Sequence, residues 1–112
     1  MFHQTVFEIQ ADLCRSMSNA IRIEIIHILR DGPKRVNEIA NLTGHPQPMI
    51  SRHLGVLHSS GIITSEQQGQ RVVYQIANPK IAEICDLMRG VLMEDASHRS
   101  DLLKVIEGQQ LE

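Results

Sequence analysis

The fold is decided by residues 36–61, which read VNEIANLTGHPQPMISRHLGVLHSSG. Apolar side chains in the first part are spaced as on a short helix that ends at Thr43-Gly44. A second helix begins at Pro46-Gln47-Pro48, because proline is tolerated in a first turn, and it ends at Gly61. Two short helices joined by a tight turn that contains glycine form a helix-turn-helix. The sequence therefore predicts this unit over residues 36–60.

A β-hairpin is predicted directly after this pair of helices. Residues 62–66 and 71–76 are both strand-like, and Gln67-Gln68-Gly69-Gln70 lies between them. A hairpin in this position makes the unit a winged helix. In such a unit the second helix enters the major groove of DNA, and the wing reaches the neighbouring backbone or minor groove. We therefore predict a wing over residues 62–76.

Helices are also predicted on both sides of this unit. Residues 5–17 and 79–106 carry apolar side chains at helical spacing. Ser18-Asn19 offers an N-cap for a further helix over residues 21–30, which is apolar on most sides and should lie at the centre of the core. The predicted fold class is mainly α (α+β), a single winged-helix domain over residues 1–112 with a two-stranded wing.

Composition restricts the class of protein further. The 112 residues are 42% hydrophobic but only 3% aromatic, which predicts one domain with an aliphatic core. No apolar run approaches the ~18–20 residues of a membrane span, the N-terminus does not resemble a secretory signal, and the two cysteines do not form a disulfide framework. We therefore expect a cytoplasmic protein.

The net charge is −2, but the charge is unevenly distributed along the chain. Residues 1–77 carry 7 basic and 6 acidic side chains, whereas residues 78–112 carry 4 basic and 7 acidic ones.

Polar side chains on the first half of the second helix suit contacts to DNA bases. Glutamine can form bidentate hydrogen bonds to adenine, and arginine can form them to guanine, whereas serine can hydrogen-bond to a base or a phosphate. An arginine at the wing tip suits a narrow minor groove or a phosphate. The alternative is a solvated helix surface without a ligand. The predicted DNA-binding residues are His45, Gln47, Pro48, Ser51, Arg52, Gln70 and Arg71.

Three segments of the chain resemble the ArsR/SmtB family of transcriptional regulators. Residues 18–26 resemble the family's segment L-S-x-x-x-R-h-x-I-L. Residues 47–57 resemble its recognition segment Q-P/S-x-V-S-x-H-L-x-x-L, and residues 61–74 resemble its wing, G-L-V…G…Y-Y. The resemblance spans about residues 8 to 92.

The resemblance implies a sequence-specific DNA-binding regulator. Members of the family are dimeric winged-helix repressors that leave DNA when an effector binds, and their first and last helices form the dimer interface. The implied partners are a second copy of the chain and double-stranded DNA with a palindromic operator. The alternative is a winged helix that serves protein interaction, with weak or no DNA binding.

Two positions depart from the family pattern. His45-Pro46 stands where the family has an apolar residue followed by serine or threonine, so the recognition helix lacks a hydroxyl cap. Pro46 and Pro48 also remove two backbone donors that could meet a phosphate. His58 stands where arginine or lysine is common, which weakens the affinity for the DNA backbone at neutral pH.

The family's known sensing sites do not fit the matching positions of this chain. The positions of one metal site hold Asn78, Lys80, Val91 and Glu94, of which only the last could be a ligand. Residues 36–40 lack the cysteines of another metal site, and the positions of a persulfide sensor hold His27 and Met93. We therefore expect no metal. The chain also has no glycine-rich phosphate loop, Cys-x-x-Cys or His-Glu-x-x-His motif, so neither an enzyme nor a cofactor is expected.

Cys14 and Cys85 remain as candidates for a thiol sensor. They lie on the first and last long helices, which pack together at the family's dimer interface. As a sensor the pair would form a reversible disulfide or bind a thiophilic ion such as arsenite. The alternative is that both are small apolar residues of the core, because buried cysteine packs in this way.

Overall fold

The computed structural model describes residues 3–95 and 100–108. Its elements follow the predicted order of helices and strands. Residues 96–99, inside the predicted C-terminal helical range, and residues 109–112 lie outside this description. The elements are α1 (Val6–Met17), α2 (Ala20–Leu29), α3 (Val36–Thr43), α4 (Gln47–Ser59), β1 (Ile63–Gln68), β2 (Arg71–Ile76), α5 (Pro79–Asp95) and α6 (Ser100–Glu107).

Local side chains and glycines set the ends of the helices. Thr5 and Glu8 form a capping box at the start of α1, in which each side chain accepts a hydrogen bond from the other's backbone N–H. The Asn19 side chain accepts from two backbone N–H groups at the start of α2, as the sequence predicts. Gly44 and Gly61 follow α3 and α4 with positive φ angles of 77° and 76°, a conformation that glycine adopts without strain.

The wing is a two-stranded antiparallel hairpin whose loop is shorter than the sequence predicts. Gln67 and Gln68 were expected in the loop, but they pair with Val72 and Arg71 at the end of β1. The connection is Gly69-Gln70 alone, with φ of 65° at the glycine. A glycine with positive φ at the first position of a two-residue loop allows the strands to pair up to the turn.

The core is aliphatic and is built around α2. This helix packs against α3, α4, α5 and β2, which confirms its predicted central place. Tyr74 is half-buried at the edge of the cluster. The fully buried side chains are Ile25, Ile26, Ile39, Ile50, Leu54, Leu57, Ile62 and Ile63.

The apolar side chains of α1 and α5 are only partly buried within one chain. No residue of α1 is buried. The sequence predicts one apolar face for α5, but the structure divides its apolar residues into two groups. Ile81, Ala82 and Cys85 pack on the chain's own core, whereas Val91 and the other members remain exposed. None of the helices in the described part of the chain is long and apolar enough to cross a membrane.

A polar network joins α2 to α5 beside this core. The carboxylate of Asp86 accepts hydrogen bonds from Arg30 and Arg89. Arg89 also donates from Nη2 to Nδ1 of His27 over 3.1 Å, which requires that nitrogen to be unprotonated. Burial lowers the pKa of His27, and the nearby charges of Arg89 and Arg30 lower it further. His27 is therefore a neutral acceptor between two helices.

This arrangement predicts that acid destabilises the protein through His27. Because its pKa in the folded state lies below the ordinary histidine value of 6.5, the unfolded chain binds the proton more tightly. The free energy of unfolding should fall as the pH drops through about 6.5 and continue to fall until the folded-state pKa is passed. His27→Gln keeps an acceptor for Arg89 but cannot titrate, so it should flatten this dependence in urea denaturation between about pH 5 and 7.

The matched control is His3→Gln, because His3 is exposed ahead of α1. It should leave the pH dependence of the free energy of unfolding as in the wild type. An equal flattening by both substitutions would contradict the assignment to His27.

Candidate nucleic-acid interface

The recognition helix α4 presents one apolar and one polar side. Ile50, Leu54 and Leu57 face the core and are buried. The side chains of the opposite face are exposed, as the sequence predicts from their spacing. The predicted contact residues on this exposed face are Gln47, Pro48, Ser51 and Arg52.

The start of α4 lacks a side-chain cap, as the sequence predicts. Pro46 occupies the N-cap position, and its side chain accepts no hydrogen bond. Its carbonyl oxygen accepts from the backbone N–H groups of Met49 and Ile50, so the first turn is closed by the backbone alone. Prolines at residues 46 and 48 hold the backbone near the helical value of φ at the point where the helix begins.

His45 lies in the turn before α4, and its ring lies against Glu24 of α2. The sequence predicts a contact to DNA for this residue. In the structure the half-buried ring lies with Nε2 at 3.1 Å from Oε1 of Glu24 on α2, and the backbone N–H donates to Oγ1 of Thr43. The ring nitrogen is therefore engaged within the chain. This interaction joins the turn to the central helix, which no local spacing in the sequence indicates.

Arg22 is a second side chain of α2 that contacts α4, through His53. Nη1 of Arg22 lies 3.5 Å from Nδ1 of this half-buried histidine. Burial is the main cause that lowers the pKa of His53, followed by the charges of Arg22, Arg52 and His45. The ring is thus neutral and can accept from the guanidinium.

The wing is anchored at two points of the helical body. Nε2 of His58 on α4 lies 3.2 Å from Oγ of Ser65 on β1. The backbone of Lys34, just before α3, pairs with the backbone of Tyr74 on β2 through hydrogen bonds of 3.0 and 2.8 Å. Gln70 and Arg71 are exposed near the tip, as predicted.

One groove of about 540 Å³ brings the wing, α3 and α4 together. Gln47 and Arg71, which were predicted from separate motifs, both line it. Arg35 and Asn37 also line it, and sequence reasoning missed them because the wing must fold back against α3 to create this neighbourhood. Their sequence signal is slight, since they flank the first residue of a helix whose residue spacing indicates only an apolar side. The lining residues are Arg35, Val36, Asn37, Gln47, Arg71, Val72 and Tyr74.

The ion pairs divide the arginines into two groups. Within residues 3–95 and 100–108, Arg52 and Arg71 form no ion pair and are exposed. Both stand on the elements that a winged helix turns toward DNA, α4 and β2. Most of the others are neutralised by carboxylates, in the pairs Arg15–Asp12, Arg30–Asp86, Arg35–Glu38 and Arg89–Asp86.

The two cysteines occupy different environments. Cys85 is buried on α5, and burial raises the pKa of its thiol. Cys14 was expected on a packed face but is exposed, because α1 buries none of its residues within the chain. Both are free thiols. Inside one chain α1 packs on α4, whereas α5 packs on α2 and β2.

No cluster of three or more histidine, cysteine, aspartate or glutamate side chains suited to a metal ion lies among residues 3–95 and 100–108.

Comparison with known proteins identifies relatives of this winged helix. Residues 19–65 match the sequence profile described as "Bacterial regulatory protein, arsR family". The chain is 32% identical to the HTH-type transcriptional repressor SmtB of Mycobacterium tuberculosis over 79 residues, which is 70% of this chain and 58% of that protein. It is 28% identical to an uncharacterized HTH-type transcriptional regulator of the same species over 105 residues, covering 93% of this chain and 92% of that one.

The fold has the same relatives. A homodimeric winged helix-turn-helix DNA-binding domain from Mycobacterium bovis superposes with a TM-score of 0.74 at 27% identity, over 88% of this chain and 96% of that one. The transcriptional repressor BigR from Xylella fastidiosa superposes with a TM-score of 0.68 at 27% identity, over 73% and 84%. The fold is therefore a winged helix-turn-helix, and the chain belongs to the ArsR family of bacterial regulatory proteins, the family that its motifs resemble.

Proposed function

We propose that this chain is a homodimeric transcriptional repressor that binds a palindromic operator and leaves it when an effector binds. The observation that carries the proposal is the distribution of arginine charge. Arg52 on α4 and Arg71 on β2 are exposed and have no carboxylate partner within the described residues. Guanidinium groups that are not neutralised within the chain can bind bases or phosphates.

The contact residues divide into two roles. Gln47, Ser51 and Arg52 lie on the exposed face of α4 and read base edges in the major groove. Gln70 and Arg71 lie at the wing and bind the backbone or the minor groove. Pro48 supports the first group by its place in the opening turn of the helix.

The names of the relatives support repression as the activity. SmtB is described as a transcriptional repressor, and the Xylella fastidiosa relative is described as a biofilm growth-associated repressor. The alternative of a module for protein interaction has no such support, because the named relatives of this chain are transcriptional regulators. A regulator of this kind needs no catalytic residue for its activity.

The exposed apolar faces of α1 and α5 support the homodimer. Phe7 is 76% exposed, and Val91 is 66% exposed, although both are apolar. Apolar patches of this extent on one chain mark an interface. The relative from Mycobacterium bovis is homodimeric. The exposed apolar residues of the two helices are Val6, Phe7, Ile9, Leu13, Ile84, Leu87, Met88, Val91, Leu92 and Met93.

The DNA contacts can be tested with two arginine variants. Arg52→Ala should reduce the affinity for the preferred site by about 1–3 kcal/mol and relax the preference at one base pair, because a bidentate base contact is lost. Arg71→Ala should weaken binding to all sequences alike. The DNA affinities of both variants are measured by fluorescence anisotropy on the preferred site and on single-base variants of it.

The charge-matched control is Lys104→Ala on α6, which should bind as the wild type does. If the Arg52 and Arg71 variants behave interchangeably, the division of roles between α4 and the wing is wrong.

The dimer can be tested with an exposed residue of α5. Val91→Glu should shift the chain from dimer to monomer in sedimentation velocity at micromolar concentration, because a charge would be buried at the interface. Leu42→Glu is the matched control, since Leu42 is 63% exposed but lies on α3. A wild-type chain that sediments as a monomer under these conditions would contradict the proposal.

Cys14 and Cys85 are the candidate thiol sensor for the effector step, and we expect that they do not act as one. Burial and a raised pKa keep the Cys85 thiol protonated, and a protonated thiol reacts slowly. The Cys14→Ser, Cys85→Ser double variant should therefore release DNA as the wild type does when oxidant or arsenite is added. Loss of that release in the double variant alone would identify the cysteines as the sensor.

A further inference from the structure

We infer that the groove between α3 and the wing is a binding site for a backbone phosphate of DNA, with Arg35 and Asn37 on one wall and Arg71 on the other. The inference rests on the proposed function, which it extends to α3. It assigns a DNA contact to Arg35, a residue that is neither on the recognition helix nor on the wing.

The charge of the groove favours an anion. Its described lining residues include two arginines, Arg35 and Arg71, and two side-chain amides, those of Asn37 and Gln47. No acidic side chain is among them, since Glu38, which pairs with Arg35, does not line the groove. A phosphate accepts hydrogen bonds from guanidinium groups bidentately and from amide N–H groups. The volume of about 540 Å³ leaves ample space for a phosphodiester to enter from the surface.

Arg35 is held in a fixed position by Glu38 without losing its terminal donors. Oε1 of Glu38 accepts from the backbone N–H of Arg35 at 2.9 Å and from its side-chain Nε at 3.3 Å. Among the described residues no acceptor contacts the Nη groups of Arg35. The carboxylate thus restrains the side chain, while the terminal edge of the guanidinium is free to bind a phosphate.

The two walls of the groove are connected by the backbone. The hydrogen-bonded pair formed by Lys34 and Tyr74 joins the residue before Arg35 to β2, the strand that carries Arg71. The arginines are therefore brought together by the folded chain before DNA binds. Preorganisation of this kind reduces the entropy that binding must overcome.

The groove also adjoins the surface that reads bases. Gln47 lines the groove and belongs to the exposed face of α4. A phosphate held there would fix the register of α4 in the major groove, since phosphate contacts position a protein on DNA and base contacts specify the sequence. Arg35 is therefore assigned to positioning and affinity, and it should carry no base preference.

The test is the salt dependence of operator binding by Arg35→Gln. A dimer would lose one phosphate contact in each subunit, so the slope of log K against log salt should fall in magnitude by about 2. The preference among single-base variants of the site should stay unchanged. Arg35→Lys restores the charge and should recover most of the slope. Lys104→Gln on α6 removes the same charge elsewhere and should keep the wild-type slope.

Asn37→Asp should change operator binding without destabilising the fold. Residue 37 lies in the first turn of α3, where an acidic side chain interacts favourably with the helix dipole, so thermal stability should be unchanged or higher. The same substitution puts a negative charge into the groove and should weaken operator binding at least about tenfold at physiological salt.

The outcomes distinguish this inference from the proposed function. If the wild type binds DNA with a steep salt dependence but Arg35→Gln keeps its slope and Asn37→Asp keeps its affinity, the phosphate site is wrong and the repressor proposal stands. If the wild type binds no duplex DNA even at low salt, the proposed function fails, and this site fails with it.

Discussion

Ile25 and Ile26 of α2 are completely buried, and the other elements of the fold are arranged around them. α3, α4, α5 and β2 all pack against this helix, so its apolar surface is the common contact of the DNA-facing and the C-terminal parts. Full burial of each isoleucine stabilises the fold by about 1.5–3 kcal/mol relative to an exposed side chain. Because protein cores are closely packed, a shift of α2 would be felt by every element that contacts it.

The polar side chains of α2 extend this connection in two directions. Toward the recognition helix, Arg22 approaches His53 and Glu24 binds His45. Toward α5, His27 accepts from Arg89, and the carboxylate of Asp86 joins Arg30 to that arginine. One helix therefore links the surface proposed for DNA with the helix proposed for dimerisation. In each direction one neutral histidine, His53 or His27, can accept from an arginine.

Charge is distributed in a way that separates structural from ligand-binding arginines. Carboxylates engage four arginines of the helical body, Arg15, Arg30, Arg35 and Arg89, whereas Arg52 and Arg71 have no such partner within the described residues. Arg35 combines both situations, because Glu38 engages its Nε and leaves its terminal groups for a ligand. This distribution explains how a chain with a net charge of −2 can present a basic surface to DNA.

The sequence by itself determined the order and type of the elements, the helix-turn-helix, the wing and the exposed face of α4, because apolar periodicity, caps and turn glycines act within a few residues of one another. The wing loop that it predicted is two residues too long, since the pairing of Gln67 and Gln68 depends on the opposite strand. Only the tertiary structure decided that the ring of His45 faces Glu24, that Cys14 is exposed and that Arg35 shares a groove with Arg71. Each of these depends on contacts between residues distant along the chain, which local spacing does not encode.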